Sequence, residues 1–179
     1  MTNTTKTNWV IDVNHSQIQF KVKHLMISNV SGTFKKFSGN VNSTSNDFAD
    51  AQINFDIDTN SVDTNQPERD THLKSPLFLN TEKFPQIIFK GHLQKTNNQY
   101  MLIGDLTLCA VTKNLSMPVD FNGIGIGRFN DTRAGFELNT IINRKDFGLN
   151  FSLLTDTGSI VVGDEIKLHM DIQLLAQTT

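Results

Sequence analysis

Residues 17–24 read Gln-Ile-Gln-Phe-Lys-Val-Lys-His, and this stretch decides the fold class. Its even-numbered positions carry Ile18, Phe20, Val22 and His24, while Gln and Lys occupy the odd-numbered positions. Side chains of a β-strand point alternately to the two faces of a sheet, so this stretch predicts a strand with one apolar and one solvated face. Such a strand must bury its apolar face.

The same alternation recurs along the chain. The further candidate strands lie at residues 29–42, 51–59, 86–94, 100–112, 117–122, 134–144 and 164–174. The chain has too little helix to cover this sheet, which must therefore curl onto itself or form a sandwich. Closure also removes exposed edge strands. The pattern predicts an all-β fold: an antiparallel β-barrel of about eight strands, with one short helix after the third strand.

The helix candidate is residues 67–75. Pro67 suits the first turn of a helix, and Glu68 is favourable near its positive end. Arg69 and Leu73 fall four residues apart on one side, and His72 is one residue from that side.

Length and composition bound the function. The chain of 179 residues fits one domain, expected over 1–179 with a core at about 9–175. A net charge of −2 argues against a nucleic-acid partner. The longest apolar run is four residues, Leu108 to Val111, so we expect no membrane span. The first residues lack an apolar signal segment, so we expect a cytoplasmic protein, or a periplasmic one if a native signal precedes them.

Motifs for catalysis and metal binding are absent from the sequence. The five His, at 15, 24, 72, 92 and 169, form no His-x-x-x-His pattern, and no His-Glu-x-x-His or Gly-x-Ser-x-Gly occurs. The lone Cys109 lies on the polar phase of its strand, which indicates an exterior thiol. We therefore expect no catalytic residue, no metal and no cofactor, and a protein that is not an enzyme.

Four motifs follow one another along the chain. They are Trp9-x-Ile11-Asp12-x-x-His15-Ser16, Arg69-x-x-His72-Leu73-x-Ser75, Gly104-x-Leu106-Thr107-Leu108-x-Ala110-Val111-Thr112-Lys113 and Ile142-x-Arg144-x-Asp146-Phe147-Gly148. Together they resemble the YceI-like domains, a family of bacterial lipocalin-like, polyisoprenoid-binding proteins. The resemblance implies a barrel around a long apolar pocket that holds a polyisoprenoid, a quinone or a fatty chain. The chain departs from the family at Ala110, where Gly is usual and a bend is expected, and at residues 76–80, where an acidic pattern is usual.

The inward phase of the strands, together with the helix, predicts the residues that line this pocket. The apolar candidates are Phe20, Val22, Phe34, Phe55, Ile57, Leu73, Phe89, Leu106, Leu108 and Ile142. The polar candidates are His24, Arg69, His72 and Arg144. A buried charge needs a partner. We expect Asp146 to be the partner of Arg144, and Asp12 or Asp70 to hold Arg69, if these groups are structural rather than contacts to a ligand head group.

Three functions remain open at this level. The first is non-catalytic binding, with sequestration or transport, of a small lipophilic ligand: a polyisoprenoid, an isoprenoid quinone or a fatty-acyl lipid. The second is a stress-associated structural or interaction module with a filled barrel, since small eight-stranded barrels can fill with side chains. The third is a lipid-modifying enzyme, with His24 or His72 as the acid or base. A homodimer is also possible, through edge strands and outer apolar residues near Val111 and Val119.

Overall fold

The computed structural model describes residues 6–151, 153–158 and 161–177. The strands are β1 (Thr7–Ile11), β2 (Gln17–His24), β3 (Ser28–Phe34), β4 (Phe37–Ser43), β5 (Gln52–Asp58), β6 (Val62–Asp63), β7 (Gln86–Thr96), β8 (Gln99–Leu108), β9 (Val111–Ile126), β10 (Thr132–Asn143) and β11 (Val162–Ala176). The α-helix is α1 (Pro67–Lys74), and 3₁₀ turns lie at Val13–His15, Thr59–Ser61 and Arg144–Phe147.

Eight of these strands form a closed antiparallel barrel. They follow one another in the order β1, β4, β5, β7, β8, β9, β10, β11, and pairing of β11 with β1 closes the ring. This confirms the predicted all-β barrel of about eight strands. Each barrel strand places its apolar phase inward, because only closure lets every strand bury that phase without help from a second layer.

The two ends of the barrel are built differently. At one end, the last residues of β11 pair with β1, as at Leu174 and Ile11. Towards the other end, β11 pairs with β2 instead, from Asp171 to Val162, and β3 and β6 extend the sheet beyond β2. On the other side of β11 from β2, β10 pairs with β9, and the described pairing of β9 with β10 begins only at Val119 and Leu138. We call the β1 end the closed end and the end near α1 the mouth.

Several predicted strands have different limits in the structure. Residues 29–42 split into β3 and β4, and the short strands β1 and β6 were not predicted. Counted in this way, α1 follows the sixth strand rather than the third. Residues 100–112 are not one strand, because β8 and β9 are joined by a two-residue turn at Cys109 and Ala110.

Both residues of that turn adopt left-handed backbone angles, with φ of 50° at Cys109 and 62° at Ala110. Ala110 therefore lies in a turn, where a bend was expected, and its side chain is exposed. The exterior position expected for Cys109 is wrong. Its thiol is half-buried against the carbonyl of Leu79, 3.6 Å away, and burial raises its pKa.

The buried apolar residues form two clusters, one at each end of the barrel. Trp9, Phe48 and Phe136 belong to the cluster at the closed end, and Ile18 and Phe147 belong to the cluster towards the mouth. Val119 is buried in the first cluster, and Val111 packs against the second. Neither valine is part of an outer apolar patch, so the residues on which a dimer was expected do not support one.

Candidate functional site

An apolar cavity of about 470 Å³ runs inside the barrel from the closed end to the mouth. Thirty-five of its forty-two described lining residues are apolar, so its wall offers almost no hydrogen bonds to a guest. At the closed end the lining includes Val119 and Leu174, and at the mouth it includes Phe151. The inward residues of the barrel therefore surround open space instead of meeting across the axis.

The fourteen residues predicted to line a pocket all lie on the wall of this cavity. They are Phe20, Val22, His24, Phe34, Phe55, Ile57, Arg69, His72, Leu73, Phe89, Leu106, Leu108, Ile142 and Arg144. The structure thus brings together every residue chosen from strand phase and from the helix. Their role as contacts to a ligand stays a prediction.

Phe48 plugs the closed end. Its side chain is fully buried, although it belongs to the loop between β4 and β5. Its ring centroid lies 5.0 Å from that of Trp9, 5.0 Å from that of Phe136 and 5.3 Å from that of Phe121. Edge-to-face and tilted aromatic pairs of this kind add to the energy of burial. The plug leaves the mouth as the open end of the barrel.

Two carboxylates hold the plug loop in place. Asp50 accepts hydrogen bonds from the hydroxyl of Ser43 at 2.6 Å and from the backbone N–H and the hydroxyl of Thr44, and these bonds hold its pKa well below its usual range. Asp47 forms an ion pair with Lys95 at 2.9 Å, which, with Ser45, lowers the pKa of Asp47 to about 2. Both groups favour the ionised form in the folded protein.

The mouth is bordered by α1 and by the segment after β10. The ring of His72 on α1 lies 5.0 Å from that of Phe78, and Phe78 lies 4.2 Å from Phe151. The guanidinium of Arg144 stacks over Phe151, 4.2 Å from its centroid. This row of four side chains joins the helix to the segment after β10. It also separates the cavity from a smaller groove that contains Cys109.

Arg144 is fully engaged by the protein. Nε donates to Gly163 O, one terminal nitrogen donates to Leu149 O and Phe151 O, and the other to Val162 O and the carboxylate of Asp164. These five acceptors match the five N–H groups of a guanidinium. The expectation that Asp146 pairs with Arg144 is wrong, because the chain enters a 3₁₀ helix at Arg144. The carboxylate that pairs with Arg144 is Asp164, at the start of β11.

Arg69 is held by Thr64 rather than by a carboxylate. Its Nε donates to the Thr64 hydroxyl at 2.8 Å, and one terminal nitrogen donates to the Thr64 carbonyl at 2.9 Å. The carboxylate of Asp70 accepts hydrogen bonds from the backbone N–H and the hydroxyl of Thr64, and it forms no ion pair with Arg69. Asp12 is excluded as a partner, because it lies in a separate cluster with His15 and Arg133.

His24 and His72 have ring nitrogens without a hydrogen-bond partner among residues 6–151, 153–158 and 161–177. His24 is half-buried at the last position of β2, and His72 is exposed on α1. Both belong to the cavity wall at the mouth. A guest that reaches the mouth therefore meets two imidazoles that can donate or accept a hydrogen bond.

The sequence reasoning missed Phe48, Phe78 and Phe151. Each lies in a polar or irregular stretch, where period-two alternation gives no information about burial. No local signal distinguished Phe48, since Phe129 also lies in a polar run and is 84% exposed.

One possible metal-binding group occurs in the described part of the chain, formed by Glu137, His169 and Asp171. It lies on neighbouring positions of β10 and β11 in the phase opposite to the cavity, and it was not predicted because its members come from two strands. The two ring nitrogens of His169 already contact Asn139 at 2.7 Å and Asp171 at 3.0 Å. These groups satisfy one another on the outside of the barrel, away from the apolar site.

The described helices include none that is both long enough and apolar enough to cross a bilayer.

A closed antiparallel barrel with an apolar cavity open at one end defines a class of lipocalin-like proteins. Within this class, residues 9–174 match the model of the YceI-like domain, and the chain belongs to that family. A UPF0312 protein of Staphylococcus epidermidis is 36% identical over 164 residues, covering 91% of this chain and 94% of its own length.

Two solved structures share the fold. BcnA of Burkholderia cenocepacia superposes with a TM-score of 0.78 at 22% identity, over 91% of this chain and 98% of its own. A polyisoprenoid binding domain from Saccharophagus degradans, implicated in plant cell wall breakdown, superposes with a TM-score of 0.72 at 14% identity, over 94% of this chain and 98% of its own. At these sequence identities, the two superpositions show a shared fold and nothing further.

Proposed function

We propose that this protein binds a long-chain apolar molecule inside the barrel, without chemically changing it, and thereby sequesters or transports it. The observation that carries the proposal is the continuous cavity of about 470 Å³ with its apolar wall. Specific small-molecule sites commonly have volumes of this order. Candidate guests are polyisoprenoids, isoprenoid quinones and fatty-acyl lipids.

The energetic argument rests on transfer of the chain out of water. Burial of each methylene contributes roughly 0.8 kcal/mol, so a chain of several isoprene or acyl units gains much by entering an apolar cavity. A wall with few polar groups loses little hydration on binding. Membership of the YceI-like family, and the shared fold with a domain described as polyisoprenoid-binding, support the same class of guest.

The alternative of a filled barrel is disfavoured by the packing. Phe20, Phe34 and Phe55 point to the interior, yet they line the cavity instead of occupying it. A module that acted only through its outer surface would have no need of this space, because an empty cavity costs stability.

The test is ligand uptake by a cavity-filling variant and a matched control. Leu168 lines the cavity on β11, and its neighbour Lys167 is exposed on the other phase. We expect delipidated wild-type protein and Lys167→Trp to take up a fluorescent fatty-acyl or polyprenyl probe, and Leu168→Trp to take up much less.

Thermal unfolding of the three proteins verifies that each is folded. Native mass spectrometry of the purified wild-type protein should also detect a bound lipid. Equal uptake by Leu168→Trp and Lys167→Trp, or no uptake by any of them, would contradict the proposal.

A further inference from the structure

Five of the ten exposed large apolar side chains in the described part of the chain lie around the mouth. Met26 and Ile27 belong to the turn between β2 and β3, Leu77 follows α1, and Leu153 and Leu154 lie between β10 and β11. Ile27 is 82% exposed, Leu77 62% and Leu154 60%. Single exposed apolar residues are ordinary, whereas a contiguous group of them marks an interaction surface. We call these five residues the apolar rim.

Backbone and ring contacts bring the three segments of the apolar rim together. The N–H of Leu25 donates to the carbonyl of Val161 at 2.8 Å, and the N–H of Val161 donates to the carbonyl of Leu153 at 2.9 Å. The turn after β2 therefore lies beside the segment between β10 and β11. In that segment the ring of Phe151 lies 4.2 Å from the ring of Phe78, which brings the residues after α1 to the same place.

The apolar rim is continuous with the wall of the cavity. Leu153 belongs to both, and Val161, Phe78 and Phe151 line the cavity beside it. Apolar surface therefore extends from the inside of the barrel over the edge of the mouth and into water. Exposure of this area to water is unfavourable unless another apolar phase covers it.

The rim segments carry basic residues but no acidic ones. Residues 23–28 and 72–79 each contain one Lys and one His, and residues 149–155 contain no charged residue, although Asp156 follows them. The whole chain, by contrast, has a net charge of −2. Exposed Leu and Ile beside Lys are typical of surfaces that rest on a bilayer, because the apolar groups enter the acyl boundary and Lys is attracted by anionic head groups.

From these observations we infer that the apolar rim docks the barrel, mouth first, on the surface of a lipid bilayer that contains anionic lipids. Ile27, Leu77 and Leu154 enter the boundary between head groups and acyl chains, and the neighbouring Lys residues lie at the level of the head groups. The purpose of docking rests on the proposed function, because a chain then passes between bilayer and cavity without crossing water. Docking itself requires no guest in the cavity.

The experiment is sedimentation of the protein with vesicles of equal parts phosphatidylcholine and phosphatidylglycerol. We expect the wild-type protein to bind them, and the double variant Ile27→Ser with Leu154→Ser to bind roughly tenfold or more weakly, since two apolar side chains no longer leave water. Both positions are exposed and neither lines the cavity, so the fold should be retained. Added salt, or vesicles of phosphatidylcholine alone, should weaken binding of the wild-type protein.

Phe129→Ser is the matched control. Phe129 is also a large exposed apolar residue beside a basic one, Arg128, but it lies in the β9–β10 turn, beyond the closed end. This variant should bind vesicles as the wild-type protein does. Leu168→Trp should do so too, because Leu168 lies on the cavity wall and is not part of the apolar rim.

The outcomes separate docking from the proposed function. Equal sedimentation of the double variant and Phe129→Ser, or sedimentation of none of the proteins, would overturn docking, while uptake of the fluorescent probe from solution would still stand. A dimer in analytical ultracentrifugation that the double variant abolishes, without vesicle binding, would also overturn it and assign the apolar rim to a second copy of the chain. Vesicle binding without probe uptake would support docking and contradict the proposed function.

Discussion

A terminal nitrogen of Arg144 lies 3.0 Å from the carboxylate of Asp164, so one ion pair joins the start and the end of the segment that borders the mouth. The same guanidinium binds carbonyls of Leu149 and Phe151 within that segment. Arg144 therefore fixes the backbone at Leu149 and Phe151 against the start of β11 and stacks on Phe151 at the same time. Its side chain is almost completely buried, which makes these bonds costly to break.

Replacement of Arg144 by Gln should lower the free energy of unfolding by about 3 kcal/mol, since the substitution leaves several buried acceptors unsatisfied. Chemical denaturation measures the effect. Lys145→Gln is the matched control, because Lys145 contacts the same carboxylate from an exposed position, at 2.9 Å. That variant should lose less than about 1 kcal/mol. Similar losses in the two variants would show that the contacts of Arg144 do not stabilise the segment.

Ala110→Gly should stabilise the protein. Ala110 occupies a left-handed conformation with φ of 62°, which costs an L-residue about 1 kcal/mol and costs Gly almost nothing. The expected net gain is below about 1 kcal/mol, because the conformational freedom that Gly adds to the unfolded chain offsets part of the relieved strain; the unfolding temperature should rise by no more than about 4 °C.

Ala49→Gly provides the control, because Ala49 is also exposed in a turn but is not among the positive-φ residues. Here Gly adds conformational freedom to the unfolded chain, and stability should fall. If Ala110→Gly is no more stable than the wild-type protein, the turn is not strained.

Phe48→Ala should cost about 3–5 kcal/mol, because it removes a fully buried ring and leaves a cavity between Trp9 and Phe136. Denaturant unfolding measures the loss. The control is Phe129→Ala, since Phe129 is 84% exposed, and it should change stability by no more than about 0.5 kcal/mol. A loss below 1 kcal/mol for Phe48→Ala would show that the loop does not close the barrel in solution.

The carboxylates of the plug loop should make the stability of the protein depend on pH in the acidic range. The pKa values of Asp47 and Asp50 are lowered in the folded state, so these carboxylates bind protons more tightly when the chain is unfolded. Their contribution is present above the unfolded value near pH 4 and is lost as the pH falls from about 4 towards the folded value of about 2 for Asp47.

We expect the unfolding temperature of the wild-type protein to decline as the pH falls across that window. The unfolding temperature of Asp50→Asn should decline less steeply. Between pH 6 and 8, where both carboxylates are ionised, the two curves should run parallel. Identical slopes below pH 4 would contradict the assigned hydrogen bonds of Asp50.

The alternation of residues was sufficient to predict much of this protein. The even positions of residues 17–24 placed Phe20 and Val22 on the inner wall, and the same rule placed Phe89 and Leu106 there. It succeeds because the direction of a side chain from a strand depends only on local backbone geometry. The helix over residues 67–74 was also predictable, because Pro67 and Glu68 act within the first turn.

Alternation did not locate the turn at Cys109 and Ala110. A two-residue hairpin turn is usually recognised by Gly or Asn at its central positions, and neither residue type occurs at these two positions. It could not identify the partner of Arg144 or of Arg69 either. Asp164 reaches Arg144 only after the chain has passed through the segment between β10 and β11, and Thr64 rather than a carboxylate faces Arg69.

The sequence by itself determined that this chain is a barrel with an apolar interior, because strand phase is a local property. Only the tertiary structure decided that the interior is an open cavity, plugged at one end by Phe48 and bordered at the other by basic side chains. Those features depend on which distant segments meet, and the free energy of such contacts arises only when the whole chain is packed.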